Sequence, residues 1–292
     1  MIKYLLMGII IFTFKGEKCD YISDYYQTVY QAEIHYLKNE NQKALDLFKK
    51  VEAKCGLLNR IGTYEPLIVA ELYVRVKQEN KAFPYLYRLL EDGLTFEMLN
   101  NNPEFDVLKS KKQWVQLKED APELESEFQK SINKELRNEI IKMKRADQNV
   151  RNGNFSVQER IAVDSINENR MKEIFIEFGY PHYKLIGYST YLEDTNIQAL
   201  LMHFKDTTFF KQKLMKSIRN GVASPSELAA MIDSRQRSIG IFTYGAYQNV
   251  DSTKIKNFEK IDQTRTAIGL RPYKLEKEYW KLIRAKYDST EY

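Results

Sequence analysis

The residues best suited to chemistry in this chain are a dispersed set of acids, arginines and one histidine in its second half. Asp147 and Arg151 stand four apart, which puts both side chains on one face of a helix, with Gln148 beside them. An arginine steadied by a neighbouring carboxylate offers a planar fork that takes an anionic group in two parallel hydrogen bonds. The plainer alternative is an i,i+4 surface ion pair worth ~0.3–0.5 kcal/mol. Asp233, Arg235 and Arg265 come from other segments, and with Asp147 and Arg151 they would make a convergent polar pocket for a small anionic ligand. His203 is the histidine with a candidate role, since His35 sits in the front segment and His182 follows Pro181 in a turn expected at the surface. Facing such a pocket, His203 would be a general base oriented by Asp147 or Asp233, making His203 and Asp233 the catalytic candidates of a hydrolase. Set between Leu200-Leu201-Met202 and Phe204, it also fits a core histidine with a single hydrogen-bond partner.

Other chemistries lack their residues. No glycine-rich phosphate loop, Gly-x-Ser-x-Gly elbow, His-Glu-x-x-His pair or calcium loop occurs. Three scattered histidines and two cysteines leave no transition-metal set, so neither a metal nor a cofactor is expected. The 45 basic and 40 acidic residues are interspersed, the net charge is only +5, and no basic run stands apart for nucleic acid.

The elements that must position these residues begin after an apolar run from Tyr4 to Phe14, preceded by Lys3 and followed by Lys15-Gly16-Glu17-Lys18. Such a run is too short to span a bilayer, which takes ~20 residues, but it fits the hydrophobic region of a secretory signal peptide. Residues 1–18 are therefore read as a signal segment, with a buried N-terminal strand or helix as the alternative, and the protein as periplasmic or secreted. Cys19 and Cys55 are the only cysteines, and an even pair in an exported chain predicts a disulfide, worth about 3–4 kcal/mol in the chain-entropy model. Cys19 lies 21 positions before Glu40 and Cys55 15 after it. If both stretches were continuous helix the mismatch would be ~9 Å, so the chain after Cys19 must bend back; otherwise two unpaired buried thiols remain.

Ala32, Ala44, Phe48 and Val51 recur 38 residues later as Ala70, Ala82, Leu86 and Leu89, and the turns between them match as well. Small residues where helices cross, with large ones one and two turns on, describe a repeated helical hairpin. The pattern resembles tetratricopeptide repeats, with Tyr73 at a characteristic aromatic position, His35 replacing its counterpart, and four residues more than the common 34. Leu94, Leu99, Phe105, Leu108 and Trp114 resemble the helical tail that closes such arrays. The resemblance implies a peptide or protein partner on the repeats; a scaffold supporting the following domain is the alternative.

Asp120-Ala121-Pro122 breaks this pattern, with Pro122 expected in the first turn of a new helix striped by Leu124, Phe128, Ile132, Leu136 and Ile140. Further helices are expected over 157–178 (Ile166, Ile174, Phe175 and Phe178 inward), around Ile197 to His203, from Phe210 to Gly221, and after a capping box Ser224-Pro225-Ser226-Glu227. Residues 239–250 suggest a loop or small β-hairpin, and two helices, 252–268 and 274–287, follow. The last is amphipathic, better explained by packing on its own domain than by a membrane surface, and no stable membrane insertion is expected.

From about Leu136 to Tyr279 the chain resembles a bacterial domain family without an established function. The residues that carry this are Asp147-Gln148-x-x-Arg151, Asp164-x-x-Asn167, Gly179-Tyr180-Pro181 with Gly187, His203, Asp233-x-Arg235, Tyr244-Gly245 with Gln248, and Asp262-x-x-Arg265 with Gly269-Leu270. Met202 stands where that family has Gln, and the Asp-Arg and Tyr-Gly-Thr-Gln motifs are loosened here. The resemblance adds Gln248 to the ligand-binding candidates. The expectation is a mainly all-α chain: repeats over 19–120, then an α-helical domain over 121–292. It is read as an interaction or ligand-binding protein, with a hydrolase built on His203 as the alternative.

Overall fold

The computed structural model describes residues 19–59, 64–189, 193–246 and 250–288. The expected signal segment and Gln248 lie outside them. The architecture is all-α, 71% helical with no strand or sheet among the described residues.

A short helix α1 (Tyr21–Asp24) leads into the first hairpin, α2 (Tyr26–Leu37) and α3 (Asn41–Cys55), and α4 (Glu65–Arg75) with α5 (Phe83–Glu91) form the second. The eight repeated positions are buried to within 2% of completely. The turns repeat as closely: Asn39 and Lys77 both take the left-handed conformation (φ 59° and 58°), and the following amides, Glu40 and Gln78, donate to the carbonyls of His35 and Tyr73 at 2.9 and 2.8 Å. The Cys19–Cys55 disulfide is present, with a Cα–Cα distance of 5.3 Å. The bend it needs is the break at Tyr25, where φ −123° and ψ −65° separate α1 from α2.

The array is closed by α6 (Phe96–Asn100), a 3₁₀ turn at Pro103–Leu108 and α7 (Lys112–Ser131), with the Trp114 ring 5.5 Å from Phe96 and 6.3 Å from Phe105. Pro122 does not begin a helix: it lies inside α7, exposed, where water can serve the carbonyl its missing N–H leaves free. The chain instead breaks at Ile132-Asn133. Ile132 is extended, and the Asn133 side chain accepts the Leu136 amide at 3.0 Å to start α8 (Lys134–Asn152). The regular stripe Leu124 to Ile140 thus spans two helices.

Helix α9 (Val157–Glu177) returns antiparallel to α8 after a capping box at Ser156-Glu159. Its inward face is Asn167, Glu168, Met171, Ile174 and Phe175, whereas Ile166 is 68% and Phe178 37% exposed, contrary to expectation. Polar residues take the inner face because they are bonded there: Asn167 to the Met143 carbonyl at 3.2 Å, and Glu168 to the amides of Lys205 and Asp206 at 2.8 Å each. Short helices α10 (Tyr183–Ile186) and α11 (Gln198–Leu201), then α12 (Thr207–Arg219) and α13 (Pro225–Arg235), follow. Among the described residues no hairpin forms beyond α13. The loop carries a single parallel bridge, Phe242 to Ile255, and Asn257 in the left-handed region interrupts the helix expected over 252–268, which begins only at α14 (Ile261–Thr266). The chain ends in α15 (Tyr273–Asp288).

One buried apolar cluster runs from Ile22 to Leu270, through both halves. Helix α15 packs along α2, and the seam is polar as well as apolar: Tyr30 donates to the Gly269 carbonyl at 2.9 Å, Gln27 to the Leu270 carbonyl at 3.0 Å, and Arg271 pairs with Glu33. The first hairpin therefore receives the chain's own last helix. No helix among the described residues is long and apolar enough to cross a membrane.

Candidate functional site

Four elements meet around Arg151. Asp147 and Arg151 lie one turn apart on α8, Asp164 faces them from α9, His203 stands in the turn after α11, and Arg235 ends α13. The turn bearing His203 is fixed from both sides, by Glu168 through the amides of 205 and 206 and by Ser234, whose hydroxyl donates to the Met202 carbonyl at 3.0 Å.

The Arg151 guanidinium is held on three sides. Its Nη2 donates to Asp147 Oδ1 at 3.0 Å and to Asp164, and its Nε donates to His203 Nε2 at 2.9 Å. Gln148 Nε2 donates to the other Asp147 oxygen at 2.7 Å. Arginine cannot be a donor without its proton, so His203 Nε2 must accept, and the imidazole is neutral with its hydrogen on Nδ1. Burial pushes the His203 pKa down, the Arg151 charge pushes it further, and Arg235 adds to the same effect against the opposing pull of Asp147 and Asp164. Asp147 Oδ1 is 4.0 Å from His203 Nε2, on the Arg151 side of the ring. His203 is about one-third exposed and Arg235 is exposed, so the cluster borders solvent.

Asp233 and Arg265 belong to a second arrangement. Asp233 is fully buried at the end of α13, and its oxygens accept the backbone amides of Thr243 at 2.9 Å, Tyr244 at 3.0 Å and Ala246 at 2.8 Å. Burial raises its pKa while these three amides and Arg265 hold it down. Arg265 donates from Nη1 to the Tyr244 carbonyl at 2.7 Å and from Nε to the Arg271 carbonyl at 2.6 Å. The Tyr244 peptide is thus clamped by a carboxylate on one side and a guanidinium on the other. Asp233 serves this loop and not His203.

Asp164 joins the cluster though its sequence marked only a resemblance; the spacing Asp164-x-x-Asn167 put both on the face toward α8. The sequence also missed that Tyr180 and Glu227 meet: it reads Glu227 as part of a capping box. Tyr180 donates its hydroxyl to Glu227, with Oε1 and Oε2 at 2.6 and 2.7 Å, while Ser224 accepts the Ser226 amide. His182, expected at the surface, is half-buried, and burial lowers its pKa. The Cys/His/acid group close enough to grip an ion among the described residues is Cys19, Asp24 and Cys55, and both its sulfurs are joined in the disulfide.

The chain matches no protein family, no curated protein and no solved structure.

Proposed function

We propose that this is an exported, non-catalytic binding protein. Its front hairpins act as scaffold for α15, and the Arg151 cluster receives a small anionic group. The observation that carries this reading is the bond from Arg151 Nε to His203 Nε2. It occupies the lone pair a general base would need and makes the histidine a strut for the guanidinium, which favours binding over hydrolysis. With Asp147, Asp164 and His203 fixing one edge, Arg151 has no hydrogen bond from Nη1 among the described residues, and the exposed Arg235 adds a second positive charge that acts on His203. An anion taking Arg151 would lose little entropy in ordering a guanidinium that is already held. Export is supported by the apolar run Tyr4–Phe14 and by the disulfide.

The test is a titration with inorganic phosphate read from the imidazole NMR signals of His203. Saturable shifts are expected in the wild type, weakened ~10-fold or more in Arg151→Lys and Arg235→Gln, the loss anticipated for one charge-assisted bond. Unmoved signals at tens of millimolar phosphate would overturn the reading.

A further inference from the structure

A cavity away from the Arg151 cluster lies between the front hairpins and the later helices. It encloses about 640 Å³, within the range of small-molecule sites. Its walls come from the segment after α3, from Tyr180–Lys184, from Thr195–Gln198, from Asn220–Glu227 and from α15.

The charges in this wall are satisfied within the protein. Lys184 pairs with Asp92 at 2.7 Å, and Arg88 lies 3.7 Å from the same carboxylate. Arg271 pairs with Glu33 and lies 3.3 Å from Glu276, its guanidinium between the rings of Tyr30 and Tyr279 at 4.6 and 3.7 Å. An anion entering here would have to break an existing pair. Apart from Arg271 Nε, which has no hydrogen-bond partner among the described residues, what remains for a ligand is neutral: the amides of Asn59, Asn196, Gln198 and Asn220 and the hydroxyls of Ser224 and Ser226. Asn59 is 4% exposed and gives its Nδ2 to Asp92 at 2.6 Å, yet its Oδ1 has no hydrogen-bond partner. Tyr180 and Glu227 add a hydroxyl–carboxyl pair, and the ring of Trp280 stands half-exposed with its Nε1 donating to Glu276 at 2.8 Å.

From planar amides, hydroxyls and aromatic faces with every basic side chain in the wall already paired to a carboxylate, we infer that this cavity is a second binding site, for a neutral polyhydroxylated ligand, a short oligosaccharide. Sugar hydroxyls are both donors and acceptors, which amides match bidentately, and the C–H faces of a pyranose cover aromatic rings. A buried polar wall also rejects ligands that leave its groups unpaired.

Trp280 supplies the readout, because the other tryptophan, Trp114, is buried in the hairpin array. The full chain would be screened on an array of neutral glycans, then titrated with cellotriose, chitotriose, maltotriose and mannotriose while emission is followed. At least one saturable change in the wild type is expected, its fluorescence signal lost in Trp280→Phe. Affinity should fall about tenfold or more in Gln198→Ala and in Ser226→Trp, an exposed position in the first turn of α13 that blocks the cavity and leaves the circular dichroism spectrum intact. The inference is overturned if no neutral glycan binds, if binding survives Ser226→Trp, or if only charged amino acids or peptides produce the signal. The phosphate titration at His203 reports on the other site and is untouched by either outcome.

Discussion

Replacing Glu227 with Gln should remove a large pH dependence of stability. The carboxyl is 6% exposed, and burial lifts its pKa from 4.5 to about 7 despite the Tyr180 hydroxyl and the Ser224 backbone, which pull it down. A folded-state value above the unfolded one favours the protonated form in the native protein. Its contribution is therefore complete below pH 4.5, is lost as the pH rises toward 7, and is absent above that. A rise from 4.5 to about 7, at about 1.36 kcal/mol per pH unit, gives about 3 kcal/mol. Urea unfolding of wild type and Glu227→Gln from pH 4.5 to 8.5 isolates this group, because all others titrate in both proteins. The difference in unfolding free energy should shift by about 3 kcal/mol against the wild type between the two ends, well above extrapolation error. In Tyr180→Phe the midpoint of the change should move to higher pH, since a donor that stabilises the carboxylate is gone. A difference that stays flat within about 0.5 kcal/mol would refute the argument.

The two polar arrangements and the disulfide give further expectations. Asp233→Ala strands three backbone amides and should lower unfolding free energy by about 3–5 kcal/mol in a denaturant titration, with Asp233→Asn losing roughly half as much. His203 should titrate below its ordinary 6.5 by NMR and move up in Arg151→Gln; its contribution to stability is present above pH 6.5 and lost as the pH falls through the folded value. An unmoved His203 in that variant would refute the assigned contact. Joint replacement of Cys19 and Cys55 by serine removes a link spanning 36 residues and should cost about 4 kcal/mol, with reductant then having no further effect on the melting curve.

How much of this was legible in the sequence differs from element to element. Ala32, Ala44, Ala70 and Ala82 sit where helices cross, and a tight crossing restricts residue type so strongly that a period of 38 survives. The end of a helix is weaker information: Pro122 continues α7 because its free carbonyl is solvated, whereas the polar Asn133 stops the chain by capping the next helix. Ile166 reads as core, but its neighbour Asn167, buried and bonded to the Met143 carbonyl, takes the inner face, and hydropathy cannot anticipate a partner 24 residues away. The cavity is less visible still, being made by segments from α1 to α15 that no local pattern joins.

The candidate residues show why spacing alone does not assign a role. Asp147 with Arg151, and Asp233 with Arg235 and Arg265, read alike as acids and arginines able to converge. In the fold, each carboxylate is decided by what its second neighbour is. Asp147 shares its arginine with Asp164 and a histidine at the solvent edge, so its bonds end on side chains whose charges a ligand can compete for. Asp233 ends on three backbone amides, which no ligand can replace without opening the 243–246 loop. The two pairs can therefore be separated by one pair of measurements. Asp164→Asn should alter phosphate affinity and the His203 titration while leaving the unfolding free energy within about 1 kcal/mol, as expected for a half-buried ion pair. Asp233→Asn should lower stability and leave the His203 signal at its wild-type pH midpoint. If instead Asp233→Asn shifts the His203 midpoint as much as Asp164→Asn does, the division into a binding cluster and a loop clamp fails.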